Sequence, residues 1–472
     1  MNSLRPWQWA AMALGSALVL HFFYTHSWYL TDVSFLGEII GLEVLVVLLW
    51  KFEQRFFGAL IIVFLWAGMR LPLSGVGKSG RWVLLFAGAS IGFFVWQRAP
   101  RAPFRAIHLV ALFCICAAFA SATISPFAQV AALKSLSLLL LFLYCATGAR
   151  LAIIGREANF FRGLILGCEI TVYAAAICLF ILGANVWGNP NALGAAMSVG
   201  VFPVLLWAWS TSDSRKLKLR RLLAVLLCAY LVRVSMTRAG MASAVVVTVM
   251  FFVVLRQYRL MMKAVALVLF VVAIGGVLAP VSLSNQFEDL KDEILYKGHK
   301  DEGLLGSRKE PWDQSIASIK EHPLFGTGYG TSATGEDAAT GFGTVISTVG
   351  SREHGSSYIT IVEWQGLLGV WPFAALLAMT LFNVWKVCVW TRRTSDPCDY
   401  SLPLAMVVVS GVVLGIFEDS LFAAGSYLCL YFWIFVFLLA DYVPRAIPLP
   451  VARFAHTSSR SPVALEAAVP NP

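Results

Sequence analysis

Three stretches of this sequence hold residue types able to bind an anion or move a proton. The first is SMTRAGMAS, residues 235–243, with Arg238 in a very short turn between two apolar segments and Arg233 shortly before it. Small residues after the arginine let helices approach closely, which leaves the guanidinium either for an anionic headgroup or for a structural ion pair. The second is GSRKEPWDQSIASIKEHPLFGTGYG, residues 306–330. Pro311 fits the first position of a short helix, Trp312, Ile316 and Ile319 make one apolar stripe, and Pro323 lies beyond its end. Arg308 would then stand just ahead of a helix amino terminus, a pairing suited to phosphate or pyrophosphate. The alternative is that Ser307 caps the helix and Arg308 pairs with Glu310 or Asp313. Gly326, Gly328 and Gly330 allow tight turns, either as loop punctuation or for a close backbone approach to a ligand.

The third stretch is REHGSSYITIVEWQGLLG, residues 352–369. His354, at the edge of an apolar run, has the side chain whose chemistry suits proton abstraction from a hydroxyl, although a boundary histidine also serves as a surface hydrogen-bonding group. Glu363 falls about 10 Å along the following helix at 1.5 Å per residue, and Glu418 with Asp419 closes a later apolar segment. Carboxylates inside apolar spans are functional candidates, the other reading being a pair with an arginine of the bundle.

The elements that must position these groups are membrane helices. Of 472 residues, 59% are hydrophobic and 13% charged, which excludes an ordinary soluble enzyme. Apolar blocks at 7–24, 35–50, 56–72, 82–97, 107–125, 129–150, 160–184, 192–210, 217–234, 239–255, 260–282, 356–385, 402–418 and 421–441 are apolar all round. They predict an all-α, polytopic bundle of about 12 to 14 spans rather than a barrel. The expected organisation is transmembrane helices 1 to 11 in residues 1–283, a periplasmic loop with short helices in 284–355, three further spans in 356–441, and a Pro-, Ala- and Ser-rich disordered cytoplasmic tail in 442–472.

The net charge of +10 is a topology signal, not a nucleic-acid one. With the amino terminus inside, the cytoplasmic loops collect 23 Lys and Arg, against six at the short loops and helix ends opposite. The 284–355 loop instead holds 12 acids against 7 Lys and Arg. None of the nine cysteines lies in that loop, so no disulfide framework is expected. Cys114 and Cys116 would point about 200° apart on a helix, a poor metal arrangement. Asp289 and Asp292 receive no role.

The order of these motifs resembles the bacterial O-antigen ligase and polymerase superfamily: TRAG in a tight outer turn, then SRKEPW, EHPLFGTGYG and REHGSSYITIVEWQGLLG around a large outer loop. GNPNALGAA at 188–196 is similar to the Asn-Pro-Asn segment often seen there. The resemblance implies an inverting, metal-independent glycosyltransferase of the polyprenyl-phosphate-sugar class, with no cofactor. It would move a glycan from undecaprenyl diphosphate to an acceptor at the periplasmic face of the bacterial inner membrane. Carried over by motif, Arg238 and Arg308 bind the diphosphate and His354 activates the acceptor hydroxyl. Arg233, Asn191, Gly328, Tyr329, Ser356, Tyr358, Glu363 and Glu418 are expected around the substrates. Many members have Asn directly after the histidine, where this chain has Gly355, so Ser356 or Ser357 would supply that polar contact. Ligation of O-antigen to lipid A-core is the first functional expectation. Polymerisation of an O-antigen or exopolysaccharide is the second, and a polysaccharide or lipid transporter is the alternative from another class. No transporter-like repeat is visible.

Overall fold

The computed structural model describes residues 56–70, 74–98, 102–263, 265–266, 270, 306–331 and 354–444, together with Ala17. The expected spans at 7–24 and 35–50, most of 260–282, most of the 284–355 loop and the tail lie outside the described residues. The described chain is helical, without strands. Its elements are α1 (Phe56–Gly68), α2 (Ser74–Arg98), α3 (Ala106–Ile124), α4 (Ala128–Ile153), α5 (Glu157–Ile181), α6 (Pro190–Ser210), α7 (Arg215–Val234), α8 (Arg238–Val254), α9 (Gly306–Glu321), α10 (Ser357–Gly369), α11 (Trp371–Thr394), α12 (Ser401–Leu414) and α13 (Tyr427–Tyr442). Among the described residues α3, α4, α5, α6 and α11 are long and apolar enough to cross a membrane, while α1, α8, α12 and α13 are shorter apolar helices.

Boundaries follow capping chemistry. Asn189 accepts the Asn191 N–H ahead of Pro190, Ser214 accepts the Leu217 N–H, and Ser426 accepts the Leu428 N–H. These caps satisfy N–H groups that a helix start otherwise leaves without partners. Polar side chains lock one end of the bundle. Arg150, fully buried on α4, reaches Asp441 at the end of α13 through Nε at 2.6 Å and Nη2 at 2.8 Å, and Arg105 bonds the Ala440 carbonyl. The His354–Glu363 and Arg308–Glu418 pairs lie around α9 and α10, away from that lock.

Two expectations are corrected there. The single apolar run 356–385 is two helices, because Gly366 takes φ +63°, ψ −177° and Pro372 opens the next helix. A left-handed glycine releases the carbonyls of the preceding turn, and a proline near a helix start fixes the new direction. The helix around Pro311 begins earlier, at Gly306, so Arg308 lies within its first turn instead of ahead of it and Pro311 is internal. Its apolar stripe is offset too: Ser315 and Ser318 are buried, whereas Ile316 is 42% exposed. Serines on the inner face allow close packing, and α9 lies against α10.

Candidate functional site

The glycine-rich strap after α9 crosses the break in α10. Thr327 N–H donates to the Glu363 carbonyl at 3.0 Å and Gly328 N–H to the Trp364 carbonyl at 3.2 Å. Leu367 and Leu368 N–H groups return bonds to Pro323 and Leu324. Gly326, Gly328 and Gly330 all have positive φ, and a Cβ at Gly326 would sit 2.5 Å from the Glu363 carbonyl oxygen. The close backbone approach allowed by the glycines is therefore to α10. From α3, Ser121 donates to the Trp364 carbonyl at 2.6 Å and Ser125 to the Thr327 carbonyl at 2.6 Å, which fixes the strap on the bundle.

That frame holds a histidine and a carboxylate together. His354 Nδ1 lies 3.1 Å from Glu363 Oε2, with His354 only 3% exposed and Glu363 fully buried. The carboxylate accepts, so the Nδ1 proton is held by Glu363 and Nε2 is left as the basic nitrogen. Trp364 packs edge-on against the imidazole, ring centroids 5.5 Å apart. A side-chain partner of Glu363 is thus a histidine, where the alternative reading had an arginine of the bundle.

An arginine stands beside the pair. Gly355 has φ +71°, and a Cβ there would lie 3.3 Å from Arg308 Cδ and 3.2 Å from Trp312 Nε1. Trp312 Nε1–H also donates to the Gly355 carbonyl at 3.2 Å. Arg308 Nη2 bonds Glu418 Oε1 at 2.6 Å. Glu418 is fixed in turn by Ser357, whose N–H and Oγ–H both donate to its carbonyl, at 3.0 and 2.6 Å. Ser356 is buried at the start of α10, and Tyr358 O–H donates to the Val412 carbonyl at 2.8 Å.

Arg238 is the first residue of α8 and half-buried. Burial, and after it the charge of Arg308, hold its guanidinium pKa below the usual value. Two like charges thus face the same region, each in the first turn of its own helix with no acid in that turn. Positive charge at a helix amino terminus is unfavourable by itself, and at Arg308 the Glu418 carboxylate offsets it. The turn before Arg238 is tight: Met236 has φ +53°, and Thr237 Oγ–H contacts the Pro190 carbonyl at 3.4 Å, which brings Asn191 and the start of α6 against it.

The remaining expected residues sit elsewhere. Arg233 Nη1 contacts Met236 Sδ at 3.0 Å and braces the turn. Tyr329 is buried against Trp364 and Phe373, donates to the Phe422 carbonyl at 2.6 Å, and has its phenol pKa pushed well above the usual value by burial. With Gly328 it fastens the strap rather than meeting the arginines. Trp312, Trp364, Ser121 and Ser125 were not anticipated as site residues. Trp312 was legible only as an apolar stripe position, and the two serines have no distinctive sequence context.

Residues 223–351 match the family model described as O-antigen ligase. That stretch of the chain is similar to the O-antigen ligase family. The matched segment includes Arg238 and the whole of α9 with Arg308, and stops just short of His354. No curated protein matches the chain. The apolar helices and this family together make it a multi-pass membrane protein.

Proposed function

We propose that this O-antigen ligase-like protein transfers a glycan from undecaprenyl diphosphate to a lipid acceptor, with lipid A-core as the acceptor and the site facing the periplasm from the bacterial inner membrane. Residues 284–355 then form the outer loop, in a bundle of about 12 to 14 spans. The observation that carries the reading is the buried His354–Glu363 pair in contact range of Arg308 through Gly355, with Arg238 facing the same region.

The chemistry follows from that arrangement. An acceptor hydroxyl attacks the anomeric carbon from the face opposite the diphosphate, which inverts the centre. His354 Nε2 takes the hydroxyl proton as the new glycosidic bond forms, and Glu363 stabilises the resulting imidazolium. Breakage of the bond to the diphosphate places negative charge on the leaving oxygen, and Arg238 and Arg308 neutralise it in a low-dielectric mouth. Glu418 holds the Arg308 guanidinium at its place, and Ser356 and Tyr358 line the acceptor side.

The test is transfer by purified protein from a synthetic polyprenyl diphosphate sugar. Arg238→Ala and Arg308→Ala should each weaken donor affinity by tenfold or more, and the Lys variants should restore little, because an ammonium lacks the guanidinium fork. Unchanged donor affinity in both Ala variants would contradict the assignment. Extension of the carrier-linked glycan in place of transfer to lipid A-core would mark a polymerase.

A further inference from the structure

A closed circuit of bonds joins the donor side of the candidate site to its base. Arg308 and Trp312 are four residues apart on α9 and so share one face of it. Arg308 Nη2 reaches Glu418 Oε1 at 2.6 Å, while Trp312 Nε1–H reaches the Gly355 carbonyl at 3.2 Å. Between those end points stands Ser357, 1% exposed at the first position of α10. Its N–H and Oγ–H both donate to the Glu418 carbonyl, and Gly355 lies two residues back along the same backbone. The circuit therefore runs from Arg308 through Glu418, Ser357 and Gly355 to Trp312, and returns to Arg308 along one turn of α9. A single peptide bond joins His354 to it.

The circuit is also fixed to the bundle. Ser357 Oγ accepts the Leu421 N–H at 3.1 Å, and the Leu421 carbonyl accepts the Trp433 indole N–H of α13 at 2.6 Å. Ser357 N–H further reaches the Gly415 carbonyl at 2.9 Å, just past the end of α12. One serine thus holds the turn that carries Glu418 at both ends. An arginine side chain has much rotamer freedom, which an ion pair restricts only at its tip. Closing the circuit fixes the partner carboxylate as well, and with it the guanidinium, against the His354 backbone. In a displacement such alignment matters, because a misplacement of about 1 Å can cost about 10²-fold.

We propose that Ser357 and Trp312 are positioning residues that set the Arg308 guanidinium at a fixed place relative to the His354 imidazole, so that the leaving diphosphate and the attacking hydroxyl lie in line. The proposal rests on the transferase reading. Each of the two residues acts through the circuit rather than on a substrate.

The experiment uses purified full-length protein and the synthetic polyprenyl diphosphate sugar, with donor affinity measured beside single-turnover transfer at saturating donor. Ser357→Ala and Trp312→Phe should each lower turnover by about tenfold with donor affinity within about threefold of wild type, because the guanidinium is present but no longer aligned. Trp312 is only half-buried and Phe keeps an aromatic ring, so this variant reads the lost N–H even if Ser357→Ala fails to fold. The double variant should be little slower than the slower single one, since a circuit already open loses little at a second break. Multiplied effects would mark two independent local defects and overturn the proposal. So would wild-type turnover in Trp312→Phe, or donor affinity that falls in step with turnover. Arg308→Ala and His354→Ala, run beside them, keep the two claims apart. If these divide donor affinity from turnover while the circuit variants behave as wild type, this proposal alone fails. If they do not, the transferase reading fails and takes the proposal with it.

Discussion

Replacing Glu363 by Gln separates positioning from binding at the candidate site. The carboxylate is fully buried and 3.1 Å from His354 Nδ1, and its backbone carbonyl, not its side chain, accepts the strap's Thr327 N–H. Gln keeps the volume and a hydrogen-bonding oxygen, so strap and α10 should remain in place. What is lost is the charge facing the imidazolium that forms as the acceptor proton is taken. A hydrogen bond to a charged group contributes about 1.5 to 3 kcal/mol and a neutral one about 0.5 to 1.5, a difference of about 1 to 2 kcal/mol. At about 1.4 kcal/mol per decade this is a roughly five- to thirtyfold fall in turnover. Glu363→Ala also removes the hold on the ring and should lose about 10²-fold, the scale of a misplaced general base. The assay is single-turnover transfer at saturating donor, beside donor affinity measured separately. Wild-type turnover in Glu363→Gln, or weakened donor binding with turnover intact, would refute the reasoning.

Four further outcomes are expected. Arg150→Ala should destabilise the protein by less than about 3 to 5 kcal/mol, the scale for a buried charge left with no partner, because Asp441 loses its buried partner but keeps Arg105 at 3.6 Å; unfolding midpoints in detergent would read this. Gly326→Ala, forced against the Glu363 carbonyl, should abolish transfer with donor affinity reduced less than turnover, since the strap positions α10 rather than the arginines. Transfer should survive EDTA, because two guanidinium groups take the charge-stabilising part that a metal plays elsewhere; loss on chelation with recovery in magnesium would count against this. A cysteine placed at Ser332 should be labelled in intact cells by an impermeant reagent, and labelling only after lysis would invert the topology.

The helices were legible where apolar blocks end at charges or capping residues. The expected span 107–125 is helix Ala106–Ile124, and 217–234 is Arg215–Val234 behind the Ser214 cap. The break at Gly366 was missed because the apolar run continues through it, although Gly366 and Pro372 stand in plain view. Whether a glycine interrupts a helix depends on what crosses it, and the crossing strap comes from about 40 residues earlier in the chain. The types of the site residues could be read from sequence, but their partners could not. Arg308 meets Glu418 from 110 residues away. His354 and Glu363 are nine positions apart, and His354 precedes the helix that carries Glu363, so no helical spacing announces the pair.

The central claim is a division of labour: the arginines hold the donor's diphosphate and His354 removes the acceptor's proton. Donor affinity and transfer rate measured side by side in His354→Ala test it most directly. The account predicts near-normal donor binding with turnover lowered by about 10²-fold or more. Abolished donor binding with an unchanged rate at saturating donor would contradict it and make His354 a binding residue.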